Sequence, residues 1–210
     1  MNTIEHLNWR YATKKFDPNF RLSSEKINIL KEAFNLTALS YGLQTLKLVI
    51  LSNKNKQERL IEHSYGQKQV FDASHLLIIC IQNEISTNDV DIHFDTIASI
   101  RKTPKTILDP FRKQLSKTIN NMSLEEKEEW ATRQAYIALG NLMTVCALEK
   151  IDSCPMEGFN AKAFDDILNL GEKGLKSVLL LPVGKRAEDD MFAEMKKVRK
   201  PISNTVIELY

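Results

Sequence analysis

The apolar positions of this chain fall into three short continuous runs and one long helical stripe, with polar segments between them. Leu46-Lys47-Leu48-Val49-Ile50-Leu51, His75-Leu76-Leu77-Ile78-Ile79-Cys80-Ile81 and Ser177-Val178-Leu179-Leu180-Leu181-Pro182-Val183-Gly184 are predicted strands. The second run is apolar almost without interruption, which implies burial on both faces in a sheet covered by helices. Long helical stretches separate the strands, so hairpins do not connect most of them. The fold class is therefore α+β or α/β: a small central sheet flanked by helices.

The helical segments follow from periodicity and caps. Residues 3–13 read as a short helix stopped by Asp17-Pro18-Asn19, because proline disfavours helix in the residue before it. Ser23 caps a second helix with Glu25 in its first turn, and Ile27, Leu30 and Phe34 give it one apolar face. It fades at Thr37, leaving 38–45 as a loop. Residues 55–64 form a polar-faced helix. Residues 86–120 read as a polar excursion of two helices, broken at Pro104 and Pro110, with the composition of a lid. Ser123 and Glu126 form a capping-box pattern opening a helix from 124 to about 150. Ile137, Val145 and Ala147 make it apolar nearly all round, the mark of a helix central to a monomer or to a dimer. Asn160 caps a last helix over 160–169. The tail Thr205-Val206-Ile207-Glu208-Leu209-Tyr210 is strand-like without a neighbouring hairpin partner, so it pairs with the sheet or crosses to another subunit.

Composition narrows the function classes. The 210 residues fit one domain spanning 1–210, and 43% hydrophobic residues suffice for a sizeable core. A net charge of +2 with mixed signs gives no field of the kind nucleic-acid binding needs. Cys80, Cys146 and Cys154 show no metal-ligand spacing, and an odd count fits a reducing compartment. The N-terminus lacks the pattern of a signal peptide, and no run of about 18 apolar residues spans a membrane. The expectation is a cytoplasmic protein.

Candidate chemistry is sparse. His6, His63, His75 and His93 are scattered, and neither a nucleophile elbow nor a phosphate-binding glycine loop occurs. Two basic clusters stand at opposite ends of the chain, Arg10 with Lys14 and Lys197 with Arg199. Converging Arg and Lys side chains match a phosphate monoester, but on spacing alone a solvated charge run is the simpler account. The turn Cys154-Pro155-Met156-Glu157-Gly158-Phe159, between the long helix and the short acidic one, has the composition of backbone set against a ligand.

Taken together, several stretches resemble the FMN-dependent, oxygen-insensitive nitroreductase family. Arg10-Tyr11-Ala12-Thr13-Lys14-Lys15-Phe16-Asp17 is similar to that family's opening, and Lys197-Val198-Arg199-Lys200-Pro201 to its close. Asp72-Ala73-Ser74-His75, Gln134-Ala135-Tyr136, Gly140-Asn141 and Pro155-Met156-Glu157-Gly158-Phe159 match in the same order between them. Residues 86–120 show little to match.

The resemblance implies an α+β, nitroreductase-like fold and an intertwined homodimer whose C-terminal tail crosses to the partner, with FMN in clefts at the interface. It implies Arg10, Lys14, Lys197 and Arg199 on the FMN phosphate and ribityl side, with Tyr11 and Ala12 beside them. Ser40 comes from the partner's loop. Gln67, Gln69, Pro155 and Met156 line the cofactor, and Glu157 and Gly158 lie along the ring with a main-chain N–H directed at N5. Two departures stand out. Leu39 and Gly42 replace polar side chains in the family's loop before Gln44, and Gln69 falls where many members carry a lysine. The implied activity is two-electron reduction of nitroaromatic, quinone or dihydropteridine acceptors by NADH or NADPH in alternating half-reactions, with no side chain as nucleophile. A specialised FMN-dependent dehydrogenase or dehalogenase, or a flavin store or redox sensor without turnover, are the alternatives.

Overall fold

The computed structural model describes residues 2–210. The chain opens with α1 (Thr3–Trp9), closed at its start by a capping box between Asn2 and Glu5. The helix stops four residues short of the expected 13, at Arg10, whose backbone is extended. Pairing explains it: Ala12 bridges Ser153, and the Thr13 N–H donates to the Ser153 carbonyl at 3.2 Å. α2 (Ser24–Asn35) follows with Ser23 as its cap, burying Ile27 and Leu30.

The sheet holds β1 (Leu46–Leu51), β2 (His75–Gln82), β3 (Asp152–Ser153) and β4 (Leu175–Gly184) in the order β1-β2-β4-β3, with every pairing antiparallel. β3 is too short to carry a periodic signal, and the sequence reading missed it. Alternation along β2 divides the core in two. Leu77, Ile79 and Ile81 face a cluster with Leu30, Leu142 and Leu179, while Leu76, Ile78 and Cys80 face one with Phe16, Val70, Phe164 and Leu180. Both faces are covered, as the continuous apolar run implied.

α3 (Lys54–Arg59) is shorter than expected and runs into a 3-10 turn, Glu62–Ser64, and then left-handed Tyr65 and Gly66. α4 (Gln69–Asp72) precedes β2. The expected excursion is α5 (Thr87–Arg101) and α6 (Lys105–Asn121), broken at left-handed Lys102 and Pro104. Pro110 does not break it and lies inside α6. Nor is the pair a loose cover, since Val90, Phe94, Leu115 and Ile119 are buried in the first core cluster.

α7 (Leu124–Leu148) has the expected capping box of Ser123 and Glu126. It buries a stripe of Ala131, Ala135, Ala138, Leu142 and Cys146 and leaves Tyr136 and Ile137 exposed. α8 (Ala161–Leu168), capped by Asn160, and β4 complete the body. The tail departs from its strand-like pattern. A 3-10 turn occupies Ile202–Asn204, and 205–210 is exposed without strand pairing. An extended segment forms a strand only against another edge, and within this chain the tail meets none.

Candidate functional site

The two ends of the chain meet. Arg10, Tyr11, Ala12 and Lys14 line one wall of a cleft of about 370 Å³, and Lys197 and Arg199 line another. The Lys197 ammonium donates to the Arg10 carbonyl, tying the walls together. Its burial, and then the charges of Arg10 and Arg199 beside it, push the Lys197 amine below its usual range. Among the described residues, none of the side chains of Arg10, Lys14, Lys197 and Arg199 has a carboxylate partner. The cleft between α5 and α6 behaves differently, because there Arg112 pairs with Asp91 and Asp109, and Lys105 with Asp95. Lys14 and Arg199 are exposed and Arg10 and Lys197 half-buried, so water solvates part of this charge and an anion in the cleft would relieve the remaining repulsion.

The turn after β3 runs along the open edge of β4. The Cys154 N–H donates to the Pro182 carbonyl at 3.1 Å, and Met156 exchanges bonds of 2.9 and 3.0 Å with Leu180. Met156 is therefore fully used, its side chain buried in the second core cluster and its main chain in the ladder. The next two residues differ. Among the described residues the main-chain N–H groups of Glu157 and Gly158 have no hydrogen-bond partner. Pro155, half-buried, starts the turn.

Gln67 holds the turn from the opposite side. Its amide donates to the carbonyls of Ser64 and Gly158, each at 3.0 Å. A Cβ on Gly158 would lie 3.3 Å from the Gln67 amide nitrogen and 3.7 Å from the Tyr65 ring. The glycine thus makes room first for Gln67. The Glu157 carboxylate is exposed and accepts from the Tyr136 hydroxyl at 2.7 Å, which raises the Tyr136 phenol.

Gln69 is buried at the start of α4, with exposed Lys68 just before it. The segment is helical, so the alternation of an extended strand does not govern which of the two faces inward. α3 grips this short helix: the Gln57 amide donates to the Val70 carbonyl at 3.0 Å, and the Lys54 ammonium to the carbonyls of Phe71 and Ala73. Burial, then the charge of Arg21, lowers the Lys54 amine to about 8.

Ser40 is placed elsewhere and does not line the basic cleft of its own chain. Its N–H donates to the Gln134 side chain on α7 at 2.8 Å. The loop around it is tightly wound, with Tyr41, Gly42 and Gln44 all left-handed. Gly42 takes a left-handed φ there, and a Cβ on it would meet the rim of the His93 ring at 2.9 Å, so that side chain would have to move.

Two organising residues escaped the sequence reading. Arg186 lies between the rings of Trp9 and Tyr11, 4.4 and 4.6 Å from their centres, and pairs with buried Asp152 through Nε at 2.7 Å. Asp190 sits in an acidic run that reads as solvated surface, yet is only 4% exposed. Neither carries a local signal, because both depend on contacts made across the whole chain. The three thiols are buried, and burial pushes Cys80 and Cys146 up to about 12 and raises Cys154, which disfavours the thiolate. Among the described residues no group of acidic, histidine or cysteine side chains is arranged to hold a metal, and no helix is long and apolar enough to cross a membrane.

Solved structures define the class. A Bacillus subtilis protein named as a nitroreductase superposes with a TM-score of 0.87 at 22% identity, covering 98% of each chain. A nitroreductase in complex with FMN from Exiguobacterium sibiricum superposes at 0.83 with 18% identity, covering 100% of this chain and 98% of that one. The fold is thus the α+β fold of the nitroreductases. The chain belongs to the nitroreductase family, whose model matches residues 7–185. Among its relatives, a Bacillus subtilis protein named for NAD(P)H nitroreductase activity is 36% identical over 182 residues, covering 82% of this chain and 80% of the relative. The oxygen-insensitive NAD(P)H nitroreductase of Salmonella typhimurium is 26% identical over 214 residues, covering 95% and 96%.

Proposed function

We propose that this chain reduces nitroaromatic, quinone or dihydropteridine acceptors with FMN held between its basic cleft and the 155–158 turn. It is an NAD(P)H-dependent flavin oxidoreductase of the nitroreductase family. The observation that carries the placement is the cleft in which Arg10, Lys14, Lys197 and Arg199 converge without carboxylate partners. A phosphate monoester supplies the missing negative charge, and the guanidinium groups offer it bidentate bonds. Tyr11 and Ala12 form the floor beside it.

At the other end of the site the free N–H groups of Glu157 and Gly158 provide donors for the edge of the flavin ring, and Gln67 fixes the turn that carries them. Tyr136 holds the Glu157 carboxylate by its hydroxyl, leaving the main chain as the contacting group. Gln69 offers the ring a neutral amide. Held there by Arg10, Lys14, Lys197 and Arg199 at its phosphate and by the Glu157 and Gly158 N–H groups at its ring, FMN would supply two-electron chemistry between NADH or NADPH and the acceptor in alternating half-reactions. The protein supplies position, charge balance and exclusion of water, which fits the lack of a nucleophile or metal in its motifs.

The working unit in this reading is a homodimer. Val198, Ile202, Val206, Ile207, Leu209 and Tyr210 are all exposed on the single chain, a tail without a core. The outer edge of β1 is unpaired and flanked by a groove against α2 containing Phe34, Leu39, Leu46, Leu48 and Ile50. A tail crossing from a second subunit has there both an edge to pair with and an apolar bed. Ser40 of the partner subunit then completes the flavin site. A reducing, cytoplasmic compartment suits the three free thiols.

The test is direct. The purified protein is expected to be yellow, to release FMN on heating, and to bleach anaerobically within seconds of NADH or NADPH addition. Colour should return on adding a nitroaromatic or a quinone. A colourless protein that gains no flavin spectrum with added FMN would refute the proposal.

A further inference from the structure

One carboxylate collects both ends of the chain. Asp190 Oδ2 accepts from the Tyr11 hydroxyl at 2.8 Å, the Lys14 N–H at 2.9 Å and the Lys15 N–H at 3.0 Å. Its Oδ1 accepts from the Phe192 N–H at 3.1 Å, opening the 3-10 turn Met191–Glu194. Beyond that turn come Lys197 and Arg199. Main-chain pairing of Phe16 with Arg186 and the Lys197 contact to the Arg10 carbonyl also join the two ends, but Asp190 is the nearly buried side chain that binds residues 11, 14 and 15 together with the turn leading to Lys197 and Arg199. The Tyr11 ring, resting on the Arg186 guanidinium, cannot swing away from it freely.

These bonds offset the cost of burying the charge. Burial by itself raises the Asp190 carboxyl, but the Lys15 N–H, the Tyr11 hydroxyl and the Lys14 N–H together hold it below the usual range. The same contact, after burial, raises the Tyr11 phenol, so the proton stays on tyrosine and the charge on aspartate. Lys15 pairs outside the cleft with Asp189, which leaves Asp190 to the inner wall.

We propose that Asp190 is a positioning residue that sets the spacing of Arg10, Lys14, Lys197 and Arg199 and so makes the cleft select a phosphorylated flavin over its dephosphorylated form. This rests on the cleft being the FMN phosphate site. It has a sign that separates it from plain electrostatics. A negative charge near a phosphate repels it, so if Asp190 acted only through its charge, removing that charge would tighten FMN. If it acts by registering the cations, Asp190→Asn loosens FMN, because an amide cannot accept from all the donors that now converge on the carboxylate. Riboflavin, which lacks the phosphate, should be nearly indifferent.

The experiment compares full-length wild type and Asp190→Asn, each loaded with FMN or with riboflavin, by flavin fluorescence on serial dilution. Wild type is expected to hold FMN at least about tenfold more tightly than riboflavin. Asp190→Asn is expected to weaken FMN about tenfold and riboflavin less than about twofold. Tighter or unchanged FMN binding in the variant, with wild type still selective, overturns the role of Asp190, as does equal weakening of both flavins. Wild type that fails to prefer FMN overturns the phosphate site itself. Should Asp190→Asn lack a cooperative melting transition, Tyr11→Phe removes one donor and leaves the main chain untouched. It is expected to weaken FMN selectively by a smaller factor, and unchanged selectivity there overturns the proposal.

Discussion

The Gln67 side-chain amide donates to the Gly158 carbonyl at 3.0 Å, joining the segment before α4 to the turn that follows β3. The bond fixes the direction in which the free N–H groups of Glu157 and Gly158 point. Gln67→Ala removes it and leaves the turn held by the Met156 pairing, the Tyr136 hydroxyl on Glu157 and the Asn160 N–H on the His63 carbonyl. Loss of one such bond costs about 1 kcal/mol of stability, and bound flavin should be shed more readily, as measured by retention on ultrafiltration. Gly158→Val acts more severely, since its branches enter the space of Gln67 and Tyr65. Loss of FMN with the dimer intact is expected, and normal flavin binding and reduction in that variant would remove the turn from the site.

The unpaired cations give a second expectation. Lys197→Met removes both the charge and the link to the Arg10 carbonyl. FMN affinity should fall about tenfold at low salt, and the gap from wild type should narrow as salt screens the remaining charges. A gap that is independent of ionic strength would mean the lysine matters for shape alone.

Much of this was legible in the chain. The β2 pattern Leu76-Leu77-Ile78-Ile79-Cys80-Ile81 announced a strand buried on two sides, and it divides the two core clusters. Ser123 and Glu126 marked the start of α7 to the residue. What stayed hidden depends on contacts between distant parts. Arg10 leaves the helix because Ala12 and Thr13 pair with Ser153, far away in sequence. Pro110 reads as a breaker but lies within α6, a helix anchored by burial of Leu115 and Ile119. Asp190 looks like surface until Tyr11 and the 14–15 backbone arrive beside it. Arg10, Tyr11, Ala12, Lys14, Lys197 and Arg199, from opposite ends of the chain, line one cleft, and Met156 pairs with Leu180 along β4.

Lys54 supplies a pH dependence. Its folded value of about 8 lies below the ordinary 10.5, so between these limits the unfolded chain binds more protons than the folded one. Stability contributed by this group therefore rises with pH from about 8 to 10.5, opposite to a lysine held by a carboxylate. The amine is partly exposed, so the slope is shallow. Denaturant midpoints of wild type and Lys54→Met across that window should differ by an amount that changes with pH in this sense. Parallel profiles would show that Lys54 titrates normally.

In the proposed flavin site, Gln69 would bear on the redox chemistry. A neutral amide at this position stabilises a negatively charged reduced flavin less than an ammonium does. The buried start of α4 would strengthen the effect of a charge placed there. Gln69→Lys is expected to raise the two-electron midpoint potential, on the order of 30 mV for each 1.4 kcal/mol of added stabilisation. An unmoved potential would take Gln69 away from the ring.

The tail offers the last test. Among the described residues, 205–210 lie exposed without strand pairing, and the outer edge of β1 has no strand beside it. Deleting 205–210 removes an apolar segment that contributes nothing to the packing of its own chain, so an isolated subunit should be as stable without it as with it. A crossing tail makes the opposite forecast, because each deletion strips an edge strand and an apolar cover from the second subunit. Sedimentation velocity should then show a dimer that dissociates at higher protein concentration than wild type. A melting temperature that falls on dilution should accompany it. If the proposed dimer site is right, loss of FMN should follow dissociation rather than precede it, since Ser40 of the partner subunit would be withdrawn only when the subunits part. A truncated protein with the dimerisation and melting of wild type would leave the apolar tail without a role in assembly.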